Sequence, residues 1–355
     1  MKAQFRWGVI GTGMMGCEHI ANIVKLENAE VAAIADPVER SIGWGRKMAE
    51  RDVPAFSDAR TMIEKVDLDG VIVCTPNHTH TGVLDSIFET DLHVMCEKPL
   101  ATTLDDAQRT VEKADKHKGL FWVGMEYRYM PPVSRFIKEV HGGTVGELKM
   151  FSIREHRMPF LEKVGNWNRH SENTGGTLVE KSCHYFDMMR HVVGSEPQRI
   201  FASGGQDVNH LGEIYDGKLS DILDNAYVVI EFDNGVRAMH DLSMFAEASQ
   251  DHEEMVAVGD KGKVECKIPT GDVYIGNRAS GSVEKTHEHV PQEVLALGSH
   301  HGATWHQHKA FLQAVENGLE AEVTALDGLK AVVMGMAAHK SIVERRPVDM
   351  SEFGL

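Results

Sequence analysis

The chain has 355 residues, enough for two domains, and its 42% hydrophobic and 25% charged fractions are those of an ordinary water-soluble protein. Its net charge of −16 argues against nucleic acid and anionic membrane surfaces as partners. The start of the chain lacks a signal-peptide pattern, and no apolar run approaches the roughly 20 residues that a membrane helix needs. The five cysteines form no C-x-x-C pair. We therefore expect a cytoplasmic protein with free thiols.

The first 125 residues alternate between strand and helix patterns. Short apolar runs typical of buried parallel strands occur at residues 5–10, 31–35, 71–74, 94–96 and 121–123. A helix begins after Thr103, a capping residue followed by two acids in the first turn, and we expect it to end near Gly119. Repeated strand–helix units predict an α/β Rossmann domain with a parallel, doubly wound sheet over residues 1–125.

The pattern changes after Gly124. Further strands are predicted at residues 148–154, 200–203, 226–232, 236–244, 255–258 and 264–268, with turn signals at 232–235 and 258–262. Helices are predicted at residues 132–140, 178–193, 304–317 and 325–344. This predicts an α+β domain over residues 126–355 with a large, mostly antiparallel open sheet. The pattern leaves open whether the final helix returns to the first domain.

The first strand ends in a glycine loop that fits G-x-G-x-x-G. Its residues are Gly11, Thr12, Gly13, Met14, Met15 and Gly16. The glycines permit a tight turn, a close approach of the pyrophosphate and close packing of helix on strand, and the helix N-terminus favours phosphate. Asp36, 20 residues after Gly16, would bind the ribose hydroxyls and repel a 2′-phosphate, which favours NAD over NADP. Arg40 could reach such a phosphate, so NADP remains the less favoured alternative.

Lys98 follows a strand of the same predicted sheet, and ligands bind at the carboxyl ends of such strands. Oxidation of an alcohol needs a base for the hydroxyl proton and a positive group for the developing alkoxide, and Lys98 could supply the second. Glu180 and His184 are four residues apart in a predicted helix and would share a face. A histidine is a suitable proton acceptor near neutrality. Ordinary surface pairing is the competing interpretation of this spacing.

These motifs resemble the glucose–fructose oxidoreductase/inositol dehydrogenase (Gfo/Idh/MocA) family. The matching elements are the glycine loop, Thr75-Pro76-Asn77-x-x-His80, Glu97-Lys98-Pro99, Val123-Gly124-x-x-x-Arg128-x-x-Pro131, and Gly175-Gly176 followed by His184-x-x-Asp187. They occur in family order and cover both halves of the chain. The resemblance implies hydride transfer between a hydroxyl-bearing carbon, usually of a sugar or cyclitol, and C4 of nicotinamide.

The resemblance also assigns roles to individual residues. It implies that the cofactor is contacted by Thr75, Pro76, Asn77, His80, Glu97 and Lys98. It places His184 at the position of the presumed base. The family usually has aspartate where this chain has Glu180, and Lys181 could pair with that longer carboxylate.

Candidate substrate contacts are aromatic, basic or imidazole side chains. They are Arg128, Arg154, His156, Trp167, Arg169, His184 and His306. Indole faces stack on sugar rings, and arginine suits carboxylates or several hydroxyls, although packing and surface ion pairs are equally good interpretations. The twenty histidines show no zinc-ligand spacing, so we expect no metal.

We therefore predict an NAD-dependent oxidoreductase acting on a secondary hydroxyl of a sugar, cyclitol or glycoside, with Lys98, His184 and Glu180 as catalytic residues. The C-terminal sheet, by the resemblance, would bind substrate and join a homodimer or homotetramer. One alternative is a redox-neutral, NAD-dependent glycosidase or epimerase-type enzyme. Another is a non-catalytic NAD-binding regulator, which would need neither Lys98 nor His184.

Overall fold

The computed structural model describes residues 4–354, which divide into two compact units. The first unit holds the residues up to Glu126 together with Lys163–Trp167 and Gln292–Val332. The second holds Tyr127–Glu162, Asn168–Pro291 and the residues from Val333 onward. The division into domains at 125/126 stays a prediction, and the packing adds two later segments to the first unit.

The first unit is built on a six-stranded parallel sheet with the strand order β3-β2-β1-β4-β5-β6. Its strands are β1 (Phe5–Ile10), β2 (Ala29–Ala35), β3 (Ala55–Phe56), β4 (Gly70–Val73), β5 (His93–Glu97) and β6 (Phe121–Gly124). Val9, Ile34, Ile72 and Val123 on these strands are fully buried, as expected for a sheet covered on both faces. The order reverses between β1 and β4, the position at which doubly wound sheets bind ligands.

The second unit is built on a nine-stranded sheet with the order β16-β15-β14-β13-β7-β12-β11-β8-β17. The remaining strands in chain order are β7 (Leu148–His156), β8 (Pro197–Gly205), β9 (Ile214–Tyr215), β10 (Lys218–Leu219), β11 (Asn225–Phe232), β12 (Arg237–Ser243), β13 (Glu253–Gly259), β14 (Gly262–Ile268), β15 (Asp272–Asn277), β16 (Val283–His287) and β17 (Val348–Asp349). Only the β7–β12 pair within this sheet is parallel among the described strands. β9 and β10 form a separate two-stranded sheet.

Helices flank both sheets. They are α1 (Met14–Val24), α2 (Glu39–Met48), α3 (Ala59–Lys65), α4 (His80–Ile87), α5 (Leu104–Ala114), α6 (Pro131–His141), α7 (Ser171–Thr174), α8 (Thr177–Glu180), α9 (Cys183–Val193), α10 (Gln292–Leu295), α11 (Ala303–Asn317) and α12 (Ala325–Glu344). The Thr103 hydroxyl accepts a hydrogen bond from the backbone N–H of Asp106, which confirms the predicted cap of α5. That helix ends at Ala114, earlier than predicted.

Residues 292–332 complete the first unit. Val323 accepts a hydrogen bond from the backbone N–H of Val123, and Phe311 of α11 packs against Trp7 of β1 with ring centroids 4.9 Å apart. Both aromatic side chains are fully buried. The predicted fold class, a Rossmann domain and an α+β domain with a mostly antiparallel sheet, is confirmed.

The single helix predicted over residues 178–193 is wrong. The chain forms α8, turns at Lys181 and Ser182, and resumes as α9. The Lys181 and Ser182 side chains bond to Glu155 and His240, which coincides with the interruption of the helix. Glu180 and His184 therefore belong to different helices, and their spacing of four residues does not place them on one helix face.

Candidate active site

The glycine loop of the first unit has the geometry that a dinucleotide requires. Gly11 has φ +88°, and a Cβ on it would lie 2.7 Å from the Cys74 backbone. A Cβ on Gly16 would lie 1.9 Å from the Gly11 carbonyl oxygen, whereas one on Gly13 would meet no atom within 4 Å. The backbone at Gly13 is therefore open to a ligand at the start of α1, where the amide groups and the helix dipole favour phosphate.

Asp36 lies directly after β2 and is held by the glycine loop. Its Oδ2 accepts a hydrogen bond of 2.8 Å from the backbone N–H of Thr12, and its Oδ1 accepts one of 2.8 Å from Val38. A carboxylate can accept about four hydrogen bonds, so capacity remains for ribose hydroxyls. Arg40 places its guanidinium 4.8 Å from the centroid of the Trp44 ring, a cation–π contact. Its role toward a phosphate stays a prediction.

The segment between β4 and α4 contains a buried amide that suits a ligand. Asn77 is 6% exposed, and within the described residues its Nδ2 has no hydrogen-bond partner. Both ring nitrogens of the buried His80 lie 2.9 Å from carbonyl oxygens, those of Thr75 and Pro99. His80 therefore joins two loops at the carboxyl edge of the sheet and so helps to position Asn77 and Lys98. Both nitrogens of the His80 ring are used in these contacts with the backbone.

Lys98 lies at the end of β5, beside a buried carboxylate. It is half-buried, and its peptide bond to Pro99 is cis. Glu97 is 4% exposed, and its Oε1 lies 2.8 Å from Nε2 of His19. Burial raises the pKa of Glu97, but the hydrogen bond and charge of His19 and the charge of Lys98 outweigh it and lower that pKa. Glu97 is therefore an anion that stabilises a positive charge on Lys98.

In the second unit, His184 is held in a fixed plane. It is 2% exposed, and its ring is stacked on Tyr127 with centroids 4.0 Å apart and planes 4° from parallel. The Tyr127 hydroxyl accepts a hydrogen bond of 2.8 Å from Nζ of Lys181, which also forms a 2.9 Å ion pair with Glu155. This buried group of side chains fixes the tyrosine ring and, through it, the imidazole. Glu180 is 7% exposed at the end of α8.

Several predicted substrate residues of the second unit are engaged in ion pairs. Arg128 forms a buried two-point pair with Asp187, with Nε 2.7 Å from Oδ2. Arg154 pairs with Glu254 at 2.9 Å, and His156 lies 3.1 Å from Asp241.

The remaining predicted substrate residues lie in both units. Arg169 of the second unit is 5% exposed and donates to the Phe160 carbonyl. In the first unit the rings of Trp167 and His78 have centroids 6.4 Å apart. His306 is half-buried on α11, and burial lowers its pKa. The substrate roles of all these residues stay predictions, and Arg128 has the clearest structural function.

Sequence reasoning missed three residues of the first unit: Glu126, on which the Lys98 charge acts, His300, 3.7 Å from Glu126, and Glu18, 2.7 Å from His300. Each is an ordinary polar residue in its own segment, and only the fold brings α1, the end of β6 and the start of α11 together. Among residues 4–354, no three His, Cys, Asp or Glu side chains converge as metal ligands. In the same range, no helix combines the length and apolar character needed to span a membrane.

Two family models cover most of the chain. Residues 5–125 match the model of the Gfo/Idh/MocA oxidoreductase family described as its NAD-binding Rossmann fold. Residues 137–350 match the model described as the C-terminal alpha/beta domain of that family. The resemblance identified from the motifs is confirmed, as is NAD as the cofactor.

Individual proteins are similar over nearly the whole chain. A myo-inositol 2-dehydrogenase of Thermotoga maritima is 29% identical over 355 residues, which are 98% of this chain and 99% of that protein. The crystal structure of a probable dehydrogenase from Thermotoga maritima has a TM-score of 0.81 at 26% identity, covering 98% of this chain and 100% of that one. A scyllo-inositol dehydrogenase from Lactobacillus casei, solved with NAD(H) and scyllo-inositol, shares the fold at 20% identity and a TM-score of 0.78, over 98% of this chain and 99% of that one.

Proposed function

Because the chain belongs to the Gfo/Idh/MocA oxidoreductase family, we propose that it oxidises a secondary hydroxyl of a sugar, cyclitol or glycoside with NAD as hydride acceptor. The observation that carries this proposal is the half-buried Lys98 at the carboxyl end of β5, in a sheet whose first loop fits a dinucleotide. A protein that only bound NAD would not need a charged amine placed at that edge. The similarity to a myo-inositol 2-dehydrogenase supports a polyol as substrate.

The residues of the chain have separate tasks in this reaction. When bound, the nicotinamide supplies the acceptor for the hydride that leaves the hydroxyl-bearing carbon. His184 accepts the hydroxyl proton, and the stacked Tyr127 ring holds the imidazole plane for that transfer. Lys98 donates a hydrogen bond to the oxygen as negative charge develops on it. Glu180, at the end of the preceding short helix, is proposed as the carboxylate that assists His184.

The geometry of the first unit supports the proposed cofactor residues. The amides around Gly13 face the pyrophosphate, Asp36 accepts from the ribose hydroxyls, and the buried Nδ2 of Asn77 donates to the ligand. The Asp36 charge repels a 2′-phosphate, so we propose a lower dissociation constant for NAD than for NADP. Titration of the intrinsic fluorescence with each cofactor measures this preference, and tighter binding of NADP would contradict it.

The substrate class is tested with a panel of sugars, inositols, glycosides and sugar acids, each with NAD and with NADP, read by the absorbance of the reduced cofactor. At least one polyol should give stoichiometric NADH. If none does while NAD still binds, the chain is not a dehydrogenase of this class. Cofactor that stays bound through purification, with substrate consumed and no net NADH, would indicate the redox-neutral reaction instead.

The catalytic assignments are tested with matched variants. Lys98→Ala and His184→Ala should each lower kcat by about 10²–10⁴-fold while NAD still binds. Lys116→Ala and His289→Ala replace exposed residues of the same types and should leave kcat unchanged. Near-normal turnover in either of the first two variants would remove that residue from the mechanism.

We further propose a homodimer or homotetramer joined through the nine-stranded sheet. Phe201, Val229 and Met239 lie opposite one another on β8, β11 and β12, and each is more than 40% exposed. Tyr227 and Met150 are about 60% exposed on the same sheet. A continuous apolar patch of this kind is typical of an interface between subunits. Sedimentation or light scattering measures the assembly, and a monomer at micromolar concentration would refute it.

We also propose a cytosolic location. All five cysteines are free thiols, and three of them, Cys96, Cys183 and Cys266, are buried. Free thiols are typical of a reducing compartment. Fractionation of the native cells tests this, and recovery in an oxidising compartment would contradict it.

A further inference from the structure

Two buried carboxyl groups lie at the ends of neighbouring strands, beside Lys98. Glu97 is the last residue of β5 and pairs in register with Gly124 at the end of β6, two residues before Glu126. Glu97 is 4% exposed and Glu126 is 1% exposed. The charges of Glu97 and Lys98 both act on Glu126. Two buried carboxylates at one place repel each other, so one of them holds a proton more readily than the other.

The surroundings of the two groups decide which one that is. Glu97 accepts a hydrogen bond from His19, whose other ring nitrogen lies 2.9 Å from Nε2 of His308. This support keeps Glu97 ionised. Burial and the Glu97 charge raise the pKa of Glu126 to about 7, against the opposing charges of His300 and Lys98. Glu126 is therefore the carboxyl group that changes its charge near neutrality.

His300 connects Glu126 to a permanently charged carboxylate. Its Nδ1 donates a 2.7 Å hydrogen bond to Oε1 of Glu18, and its Nε2 lies 3.7 Å from Oε1 of Glu126. Burial raises the pKa of Glu18, but hydrogen bonds from His300, Thr304 and the Ser299 backbone outweigh it and lower that pKa to about 2. When His300 is neutral, the ionised Glu18 accepts from its Nδ1–H, so the Nε2 lone pair faces Glu126.

This arrangement gives Glu126 a route to solvent. The His300 side chain is 21% exposed, whereas Glu126 is almost completely enclosed. When Glu126 ionises, its O–H bond breaks and an N–H bond forms on Nε2 of His300. A neutral acid and a neutral imidazole then become a carboxylate and an imidazolium, and the imidazolium can pass its proton to water. No oxidant or reductant takes part.

We propose that Glu126 is a positioning residue that acts as a proton switch on Lys98: when neutral it leaves the Lys98 amine available to the substrate oxygen, and when ionised it competes for that amine. This proposal rests on the proposed dehydrogenase reaction. The groups that face Glu126 are Glu97 and Lys98 at the end of β5 and His300 before α11, with Glu18 and His19 of α1 and His308 of α11 behind them. In the pH profile of kcat, activity should then fall on the alkaline side as Glu126 ionises. The decline on the acid side reports protonation of the proposed base, His184.

The kinetic test compares pH profiles of kcat, with a polyol substrate from the panel, for the wild type, Glu126→Gln and the exposed control Glu112→Gln. The wild type and Glu112→Gln should lose activity above about pH 7, by up to about tenfold per pH unit. Glu126→Gln should lack this alkaline decline and, at pH 9, exceed the wild-type kcat by at least about tenfold. An unchanged alkaline decline in Glu126→Gln would overturn the proposal.

A second variant keeps the carboxyl group in place. His300→Gln removes the positive charge that opposes the raised pKa of Glu126, so the alkaline decline should move to higher pH. A decline at the wild-type pH in this variant would exclude His300 from the switch.

A spectroscopic test of the same proposal needs no substrate. Infrared difference spectra of the wild type between pH 6 and pH 8 should show loss of a protonated carboxyl band that is absent in Glu126→Gln. Absence of that band in the wild type overturns the switch, whereas failure of every polyol to reduce NAD overturns the proposed reaction. The two failures are therefore distinguished.

Discussion

Replacing Glu126 by glutamine should stabilise the fold in alkaline solution and change its stability little in acid. Glu126 is 1% exposed, and burial together with Glu97 raises its pKa from 4.5 to about 7. Unfolding returns the group to its ordinary pKa, so between these values the unfolded chain binds fewer protons than the folded one. Stability therefore falls as the pH rises through this window, and Glu126→Gln removes that loss.

The size of the effect follows from the two pKa values. The raised pKa of Glu126 lowers the free energy of unfolding by less than about 1 kcal/mol at pH 5 and by about 3 kcal/mol at pH 8. For a chain of 355 residues, 3 kcal/mol corresponds to roughly 4 °C in Tm, at about 2 cal/mol/K of unfolding entropy per residue.

The assay is urea unfolding and differential scanning calorimetry at pH 5, 6, 7 and 8 for the wild type, Glu126→Gln and Glu112→Gln. The advantage of Glu126→Gln over the wild type should grow across this series by about 2.5 kcal/mol. Glu112→Gln, an exposed substitution of the same kind, should show no such trend. A stability difference that is constant from pH 5 to pH 8 would refute the assignment of a neutral, buried Glu126.

Three further predictions concern the loop, the ion pair and the sheet. Gly13→Ala should fold normally but bind NAD at least about tenfold more weakly, because the added methyl group would occupy the space of the ligand. Gly16→Ala should instead be destabilised, because its methyl group clashes with the loop backbone. Fluorescence titration measures the NAD affinity, and equal affinity in Gly13→Ala and the wild type would contradict the prediction. Asp187→Asn removes the carboxylate charge that pairs with the buried Arg128 and should lower the free energy of unfolding, measured with urea, by about 3–5 kcal/mol. A decrease below about 1 kcal/mol would show that the ion pair is dispensable. Val229→Glu puts a charge in the exposed apolar patch and should lower the molecular mass measured by light scattering. An unchanged mass would exclude this patch as the subunit interface.

The parts of the fold that follow from local pattern could be predicted from the sequence. The central strands of the first sheet are continuous apolar runs, and Thr103 caps its helix as its chemistry requires. β16 could not be recognised in the same way, because it is the edge strand of the second sheet and carries exposed polar residues such as Glu284 and Lys285.

The residues of the candidate site also differ in whether local sequence or distant partners determine their positions. Gly13, Asp36 and Lys98 are fixed by short motifs, since each depends on one strand and the loop after it. The break at Lys181 could not be read from periodicity, because the partner of Lys181 there, Glu155, lies on a strand elsewhere in the sequence. The contact of Glu126 with His300 likewise depends on the return of residues 292–332 to the first unit.

The position of β7 has a consequence for how the second sheet assembles. β7 lies between β12 and β13, and Ile153 of β7 is paired with His240, 87 residues later in the chain. The antiparallel pairs β11–β12 and β13–β14 are each connected by a short turn and can form early, whereas β7 must wait for both to exist before it has neighbours. During synthesis, the ribosome therefore releases this strand long before its partners emerge, and its backbone amides should be among the last in the sheet to gain protection in pulsed hydrogen exchange.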